Sequence, residues 1–436
     1  MRSLSPGGFA RFYAPLAATS LLLTATNPLL TAALARSANP AAALAGFSVA
    51  FALCGVLYSP LLVVQQVAAT RILEGRDINP VRRFALATGA LFSGLTAAVA
   101  FTPLGGWVFG DLVGVRGSVF VEAMDAIAFL WPIPLLTGIR AAHQGRLVGK
   151  HRTHPIAVAT SARTAVLAAV AFGLTLVMGG AWVGGAAFVA GLLVEASIVG
   201  FSRVPDSIPP HAKEAPSLVD AALEGGDELL RFSTPLMLNV FLWWSTPLII
   251  NAVLARTPQP ELALASFAVV EAVAWFVTAP VGQYQHASIA LVGDRTSHRK
   301  VRRWAGVLAA GVFVLLGILA LPWIARPGLD LVFQLDSALL ESATAALPLA
   351  AFYPLLYGHR QYYQGLFVRV GCPGVVGTGA VLRVTSLVLT AVLLVDALGG
   401  YGAAFGVGLH AFGLAVEGGF LLERSRVRVL PALEVR

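Results

Sequence analysis

Four kinds of residue in this chain could do chemistry, and all of them are polar groups stranded in long apolar runs. Arg163 lies nine residues into a run that begins at residue 154, and Arg383 holds the matching depth 220 residues later. At 1.5 Å per residue that depth is roughly 14 Å, near the midplane of a hydrocarbon core about 30 Å thick. Two guanidiniums facing a common cleft would grip a carboxylate or phosphate bidentately. Equally, each could pair with an acid of its own half: Glu195 in Leu193-Val194-Glu195-Ala196, or Glu417 in Ala415-Val416-Glu417-Gly418. Both readings stay open, and the two contacts could alternate during a cycle. Glu271 stands apart, because the residue 220 positions earlier is Phe51 and shared packing therefore does not require an acid there. A lone carboxylate in a low-dielectric surround can exchange a proton or hold a cation, which makes Glu271 the candidate coupling-ion site. His410 could relay protons or simply satisfy a backbone carbonyl. Gln65 with Gln285, and Asn239 with Asn251, either line a cavity or bond between helices.

Two short motifs complete the set. Arg140-Ala141-Ala142-His143-Gln144-Gly145 and its echo Arg360-Gln361-Tyr362-Tyr363-Gln364-Gly365 close their apolar runs. Gly there suits a helix C-terminus and Arg suits the negative end of the helix dipole. The alternative use is a gate or an anion-attracting vestibule, which makes Arg360 a further substrate-binding candidate. Glu122 and Asp125 fall near the outer end of their run and are expected to be solvated. No phosphate-binding G-x-x-x-x-G-K-[ST], no H-E-x-x-H and no G-x-S-x-G with a triad is present, so energy is expected from a gradient of protons or sodium and no cofactor is implied. Cys54 and Cys372 have neither disulfide nor metal-ligand spacing.

The elements that must position these groups are spanning helices. Hydrophobic residues make up 57% of the chain and charged ones 12%, with a mean hydropathy of +0.78, far from the roughly 25% charged residues of a soluble domain. The net charge of +8 lies between apolar runs and not along one face, which argues against nucleic acid. Apolar runs of about 20 residues predict twelve spans: roughly 9–36, 40–70, 80–104, 119–145, 154–179, 182–202, 228–256, 260–292, 299–322, 340–366, 373–396 and 400–424. The basic start and the stretch Ala33-Leu34-Ala35 resemble a signal peptide. The run is too long for one and recurs at residues 232–255, so it is expected to remain as the first helix.

The chain repeats itself. Phe12, Pro15, Leu16, Leu34, Ala35 and Arg36 are matched by Phe232, Pro235, Leu236, Leu254, Ala255 and Arg256, and Pro60, Pro134 and Arg163 by Pro280, Pro354 and Arg383, all at an offset of 220. Six spans per repeat is an even number, so the repeats are parallel and not inverted. The expected fold is all-α integral membrane, with twelve transmembrane helices in two parallel six-helix repeats: an N-lobe at 1–202, a linker at 203–227 and a C-lobe at 228–436. Arg and Lys crowd one set of alternate loops, which places both termini in the cytoplasm of a cell-membrane protein. Paired prolines in helices 1 and 7 (Pro15, Pro28, Pro235, Pro247), 2 and 8 (Pro60, Pro280), and 4 and 10 (Pro134, Pro354) predict kinks that could serve as hinges.

This two-lobe arrangement resembles the MOP superfamily, which contains multidrug and toxic compound extrusion (MATE) transporters and polysaccharide-lipid flippases. Phe352-Tyr353-Pro354 through Arg360, Val381-Leu382-Arg383-Val384 and Gly402-Ala403-Ala404-Phe405-Gly406-Val407-Gly408 resemble the progressive ankylosis protein family within it. The resemblance implies a monomeric secondary-active exporter that works by alternating access on organic or phosphate-bearing anions such as citrate or pyrophosphate. Three alternatives remain: a flippase for a lipid-linked phosphate-bearing glycan, a proton- or sodium-coupled multidrug extruder of amphipathic substrates, and, from another class, a membrane enzyme or scaffold.

Overall fold

The computed structural model describes residues 6–73, 77–150, 152, 154–202 and 226–432, and the expected linker falls almost wholly outside them. Among the described residues twelve spans are present: α1 Pro6–Leu34, α2 Pro40–Ala69, α3 Asn79–Phe101, α4 Gly117–Gly149, α5 His154–Thr175, α6 Ala181–Phe201, α7 Gly226–Leu254, α8 Pro260–Leu291, α9 Arg295–Leu319, α10 Ser337–Ala350 continued by Tyr353–Arg369, α11 Pro373–Leu398 and α12 Ala403–Ala432. Eleven are long and apolar enough to cross a membrane as they stand, and α10 makes the twelfth when its two parts, bent by 42°, are taken as one span. Sequence also signals their starts. Asn39 caps α2 by accepting from Ala42 N (3.3 Å) with Pro40 in the first turn, and Asp294 forms a capping box with Ser297 at the head of α9.

The prolines mark where helices break. Pro60 and Pro280 sit in matching 3₁₀ turns, Ser59–Val63 and Ala279–Gln283, and α4 and α10 are interrupted just ahead of Pro134 and Pro354. In α1 the regular helix is interrupted at Ala25, three residues before Pro28, as expected of a ring that pushes on the preceding turn. α7, by contrast, runs unbroken through Pro235 and Pro247. Two short helices, Gly106–Val113 and Pro322–Phe333, lie between spans at matching places in the two repeats, too short to alter the span count.

Contacts divide the chain into two compact units, Ser37–Leu248 and Met1–Arg36 with Ile249–Arg436. They differ from lobes cut at the linker in two elements. α1 stands with the second-half helices, because Phe9 and Tyr13 stack on each other, on Trp304 and on Tyr284, and Tyr13 Oη donates to Pro280 O at 2.6 Å. That carbonyl belongs to the 3₁₀ turn Ala279–Gln283, so the tyrosine ties α1 to the break in α8. The greater part of α7 stands with the first-half helices, its Met237 and Val240 packing on Leu61, Val64 and Val81. Within each unit the fourth helix of the repeat is central: α4 packs on α2, α3 and α6, and α10 on α8, α9 and α12.

Gly145 and Gly365 show why that central position is possible. Both lie inside their helices, not at a C-terminus as their motif suggests, since α4 runs on to Gly149 and α10 to Arg369. A Cβ on Gly145 would meet Gln65 O at 2.5 Å, and one on Gly365 would meet Gln285 O at 2.5 Å. Bare glycine lets the backbones of α4 and α2, and of α10 and α8, touch.

Candidate functional site

The same ionic arrangement is built twice. In the first unit Glu195 on α6 receives Arg140 Nη1 at 3.1 Å and Arg163 Nη1 at 3.2 Å on one oxygen, and Gln144 Nε2 at 3.0 Å and Thr160 Oγ1 at 3.3 Å on the other. In the second, Glu417 on α12 holds Arg360 Nε at 2.7 Å and Arg383 Nε at 2.8 Å on one oxygen and accepts from Gln364 Nε2 at 2.9 Å on the other. Arg140 and Gln144, like Arg360 and Gln364, are four apart and so share one helix face. Of the two roles open to Arg163 and Arg383, internal pairing is the one seen. The Arg383 side chain has no exposure at all and Arg360 only 4%, so neither guanidinium is open to solvent in this structure. Arg163 keeps 12% and Arg140 13%. The motif arginines bond sideways to a carboxylate on a neighbouring helix.

Arg360 extends its network through Nη1 to Gln361 Oε1 (2.9 Å), and Gln361 Nε2 donates to Gly282 O (3.0 Å), a second carbonyl of the 3₁₀ turn in α8. Gln65 and Gln285 are half-buried at the glycine crossings. Asn239 is half-buried on α7, and among the described residues its Oδ1 accepts no hydrogen bond. Glu122 is not simply solvated as expected: its Oε2 accepts from Ala181 N at 2.5 Å, which satisfies a free amide at the start of α6.

A second cluster exists in the second unit alone. Glu271 on α8 accepts from Tyr353 Oη on Oε1 at 2.6 Å and from Trp275 Nε1 on Oε2 at 2.6 Å. His410 Nδ1 on α12 lies 3.1 Å from Oε2, within ion-pair range but off the line a hydrogen bond needs. Trp275, Tyr353 and His410 also pack ring on ring with centroids 5.2–5.3 Å apart, and Tyr357 meets the Trp275 ring edge-on at 5.0 Å. Tyr353 is wholly buried, whereas the Glu271 side chain keeps 15% exposure. The carboxylate is therefore fixed by aromatic donors yet still reachable.

The sequence singles out Glu271 and His410 separately, and the fold brings them together. It does not single out Tyr353 and Trp275. Their signal is the same break in symmetry that exposes Glu271: residues 220 earlier are Ile133 for Tyr353 and Gly55 for Trp275. The offset grows to 222 by the last helix of each repeat, since 417 − 195 = 222, which sets Phe188 against His410. In the first unit Phe51 and Phe188 indeed pack edge to face at 5.0 Å where the second unit has its acid and imidazole. Gly55 leaves room there for the Trp244 ring of α7.

Twelve spans in two parallel repeats, each folded around its fourth helix, form a MATE-like two-lobe transporter fold. Solved structures bear out that class. An inward-facing conformation of a multidrug resistance MATE family transporter of the MOP superfamily matches with a TM-score of 0.72 at 16% identity, over 97% of this chain and 99% of that one. The MATE multidrug transporter DinF-BH matches with a TM-score of 0.66 at 18% identity, over 98% of each chain. A MOP superfamily transporter from Pyrococcus furiosus Vc1 (DSM3638), whose binding pocket has reversed polarity suggesting a different function, matches with a TM-score of 0.62 at 17% identity over 97% of each chain. No family model and no curated protein matches the chain. At these identities the likeness establishes the fold.

Proposed function

We propose that this chain is a secondary-active exporter driven by a proton gradient, with Glu271 as the coupling acid. The observation that carries the reading is a partly accessible carboxylate held by Tyr353, Trp275 and His410 in one repeat only, where the other repeat has phenylalanines. The groups around it favour the proton over sodium. A sodium ion needs a shell of oxygens, as hard cations do, whereas Trp275 offers an N–H and His410 a ring nitrogen. A proton could pass between the Glu271 carboxylate and the imidazole 3.1 Å away once the His410 ring turns into line. The rocking bodies in an alternating-access cycle would be the two compact units, so the chain would pass from one to the other at residues 36–37 and 248–249.

The repeated Arg–Glu–Arg groups are assigned to bracing each unit. The finer kinship with the progressive ankylosis family rests on the short motifs quoted above. An exported organic anion is favoured by one observation in the first unit: two arginines share one carboxylate, and among the described residues the buried Nε groups of Arg140 and Arg163 have no acceptor. An amphipathic cation is favoured instead by the aromatic surround of Glu271, which suits cation–π contact.

The test is transport in proteoliposomes under an imposed pH gradient, with labelled citrate and an amphipathic dye cation as parallel cargoes. Gradient-driven movement of one of them in the wild type, and its loss in Glu271→Gln, is the expected result. Undiminished pH-driven transport by the variant overturns the assignment of Glu271. Transport driven by sodium with pH clamped overturns the proton.

A further inference from the structure

At the end of the second unit that carries Arg424, Arg426 and Arg428, a cavity of about 390 Å³ opens between α11 and α12. Gly371, Cys372, Thr378, Phe420, Arg424 and Arg428 line it. The two arginines are four residues apart and hence on one face of α12. Arg424 lies over the Phe420 ring, its guanidinium carbon 5.5 Å from the centroid, which holds the charge at the cavity wall. Arg426 on another face is engaged with Glu423 at 3.1 Å. Among the described residues, no carboxylate is within ion-pair range of Arg424 or Arg428. The turn into α11 passes through Gly371 at φ +77°, a backbone conformation that glycine adopts without strain.

The cavity also continues into an apolar surface. Gly374 and Thr378 on α11 belong to the same stripe as Leu382, Leu389 and Val392, at helical spacing and all exposed. α11 is as apolar as α2, with best-window hydropathies of 2.1 and 2.2, yet only 17% of that window is buried in α11 against 67% in α2. An apolar helix left outside its unit meets acyl chains. A cationic cavity at one end of such a stripe thus has the two-part chemistry of a phospholipid: a phosphate at the arginines and a chain along the helix.

We infer that the cavity formed by Arg424, Arg428 and Thr378 between α11 and α12 is a binding site for the phosphate headgroup of an anionic phospholipid, whose acyl chain lies along α11. The continuity with the apolar stripe is what favours lipid over a free phosphate. The site rests on this cavity alone and stands or falls apart from the transport reading.

The experiment titrates the full-length protein in detergent with phosphatidylglycerol, phosphatidylcholine and glycerol 3-phosphate, reading retained lipid by native mass spectrometry and melting temperature in parallel. Phosphatidylglycerol is expected to be retained and to raise the melting temperature, with phosphatidylcholine and glycerol 3-phosphate doing neither. Each arginine near a membrane surface contributes about fivefold to anionic-lipid binding, so Arg424→Gln with Arg428→Gln should weaken retention roughly 30-fold. Thr378→Trp fills the cavity from an exposed position, leaves both charges in place, and should weaken retention as well. Equal retention of the two lipids, a full response to glycerol 3-phosphate alone, or unchanged retention in the Thr378→Trp protein overturns the site.

Discussion

Replacing Glu417 by Gln separates bracing from coupling. The carboxylate neutralises two guanidiniums, at 2.7 and 2.8 Å, that have almost no access to water. Glutamine keeps the shape and one acceptor for Gln364 but removes the negative charge that Arg360 and Arg383 share. Breaking a buried ion pair by removing one partner costs about 3–5 kcal/mol. For a unit of this size each kcal/mol lowers the melting temperature by roughly 2–4 °C, so the variant should melt on the order of 10 °C below wild type. Glu195→Gln should cost less, roughly 2–3 kcal/mol, because Arg140 and Arg163 retain some solvent. Glu271→Gln removes no counter-charge from a buried arginine and weakens one or two hydrogen bonds, about 1 kcal/mol and a few degrees.

The assay is a detergent melting curve followed by reconstituted transport for the same three proteins. Glu417→Gln is expected to be unstable, with residual pH-driven transport when assayed well below its melting point. Glu271→Gln is expected to be stable and uncoupled. A Glu417→Gln protein that melts like wild type but transports nothing would refute the reasoning, for the ionic groups would then be part of the coupling path and not its frame.

Two further outcomes follow from the geometry. Gly365→Ala drives a Cβ into Gln285 O at 2.5 Å, and should destabilise by about 1–3 kcal/mol, whereas Gly377→Ala, with nothing within 4 Å, should be neutral or slightly stabilising; paired melting curves compare them. Hydrogen bonds from Ser297 hold the exposed Asp294 carboxyl below the usual aspartate range. A depressed folded value means the capping stabilisation is present above the unfolded carboxyl's pKa, about 3.9, and fades as pH falls through the folded one. Protection of the Ser297 amide against hydrogen exchange, relative to its unstructured rate, should therefore drop in Asp294→Ala at neutral pH, and in wild type only below about pH 4; equal protection in the two proteins at neutral pH would show that the cap contributes nothing.

What the sequence could disclose divides along a physical line. Depth along a helix is readable by counting, so the twelve spans, the glutamate partners of Arg163 and Arg383 and the interior placement of Glu271 all emerge from residue numbers. Azimuth is not. The arginine of each R-x-x-x-Q-G motif looks like a helix-end residue until α4 and α10 are seen to continue past it and to turn that face towards α6 and α12. Helices as uniformly apolar as α2 and α11 give no periodic signal to orient them, although one is largely enclosed and the other largely exposed. The membership of α1 is hidden for a related reason. Its repeat partner α7 is likewise apolar and shares its proline positions near the start, and the stacking of Phe9 and Tyr13 with second-half aromatics is what places α1. Symmetry supplies part of the missing direction, because two copies of one fold must pack alike. Where one copy puts Phe51 against Phe188, the other must put Glu271 against His410, and the departure from likeness marks the place where packing no longer dictates the residue. In a duplicated membrane protein, the positions at which the halves disagree are therefore the first to examine for function, and those at which they agree on a charge, as at Glu195 and Glu417, the first to examine for structure.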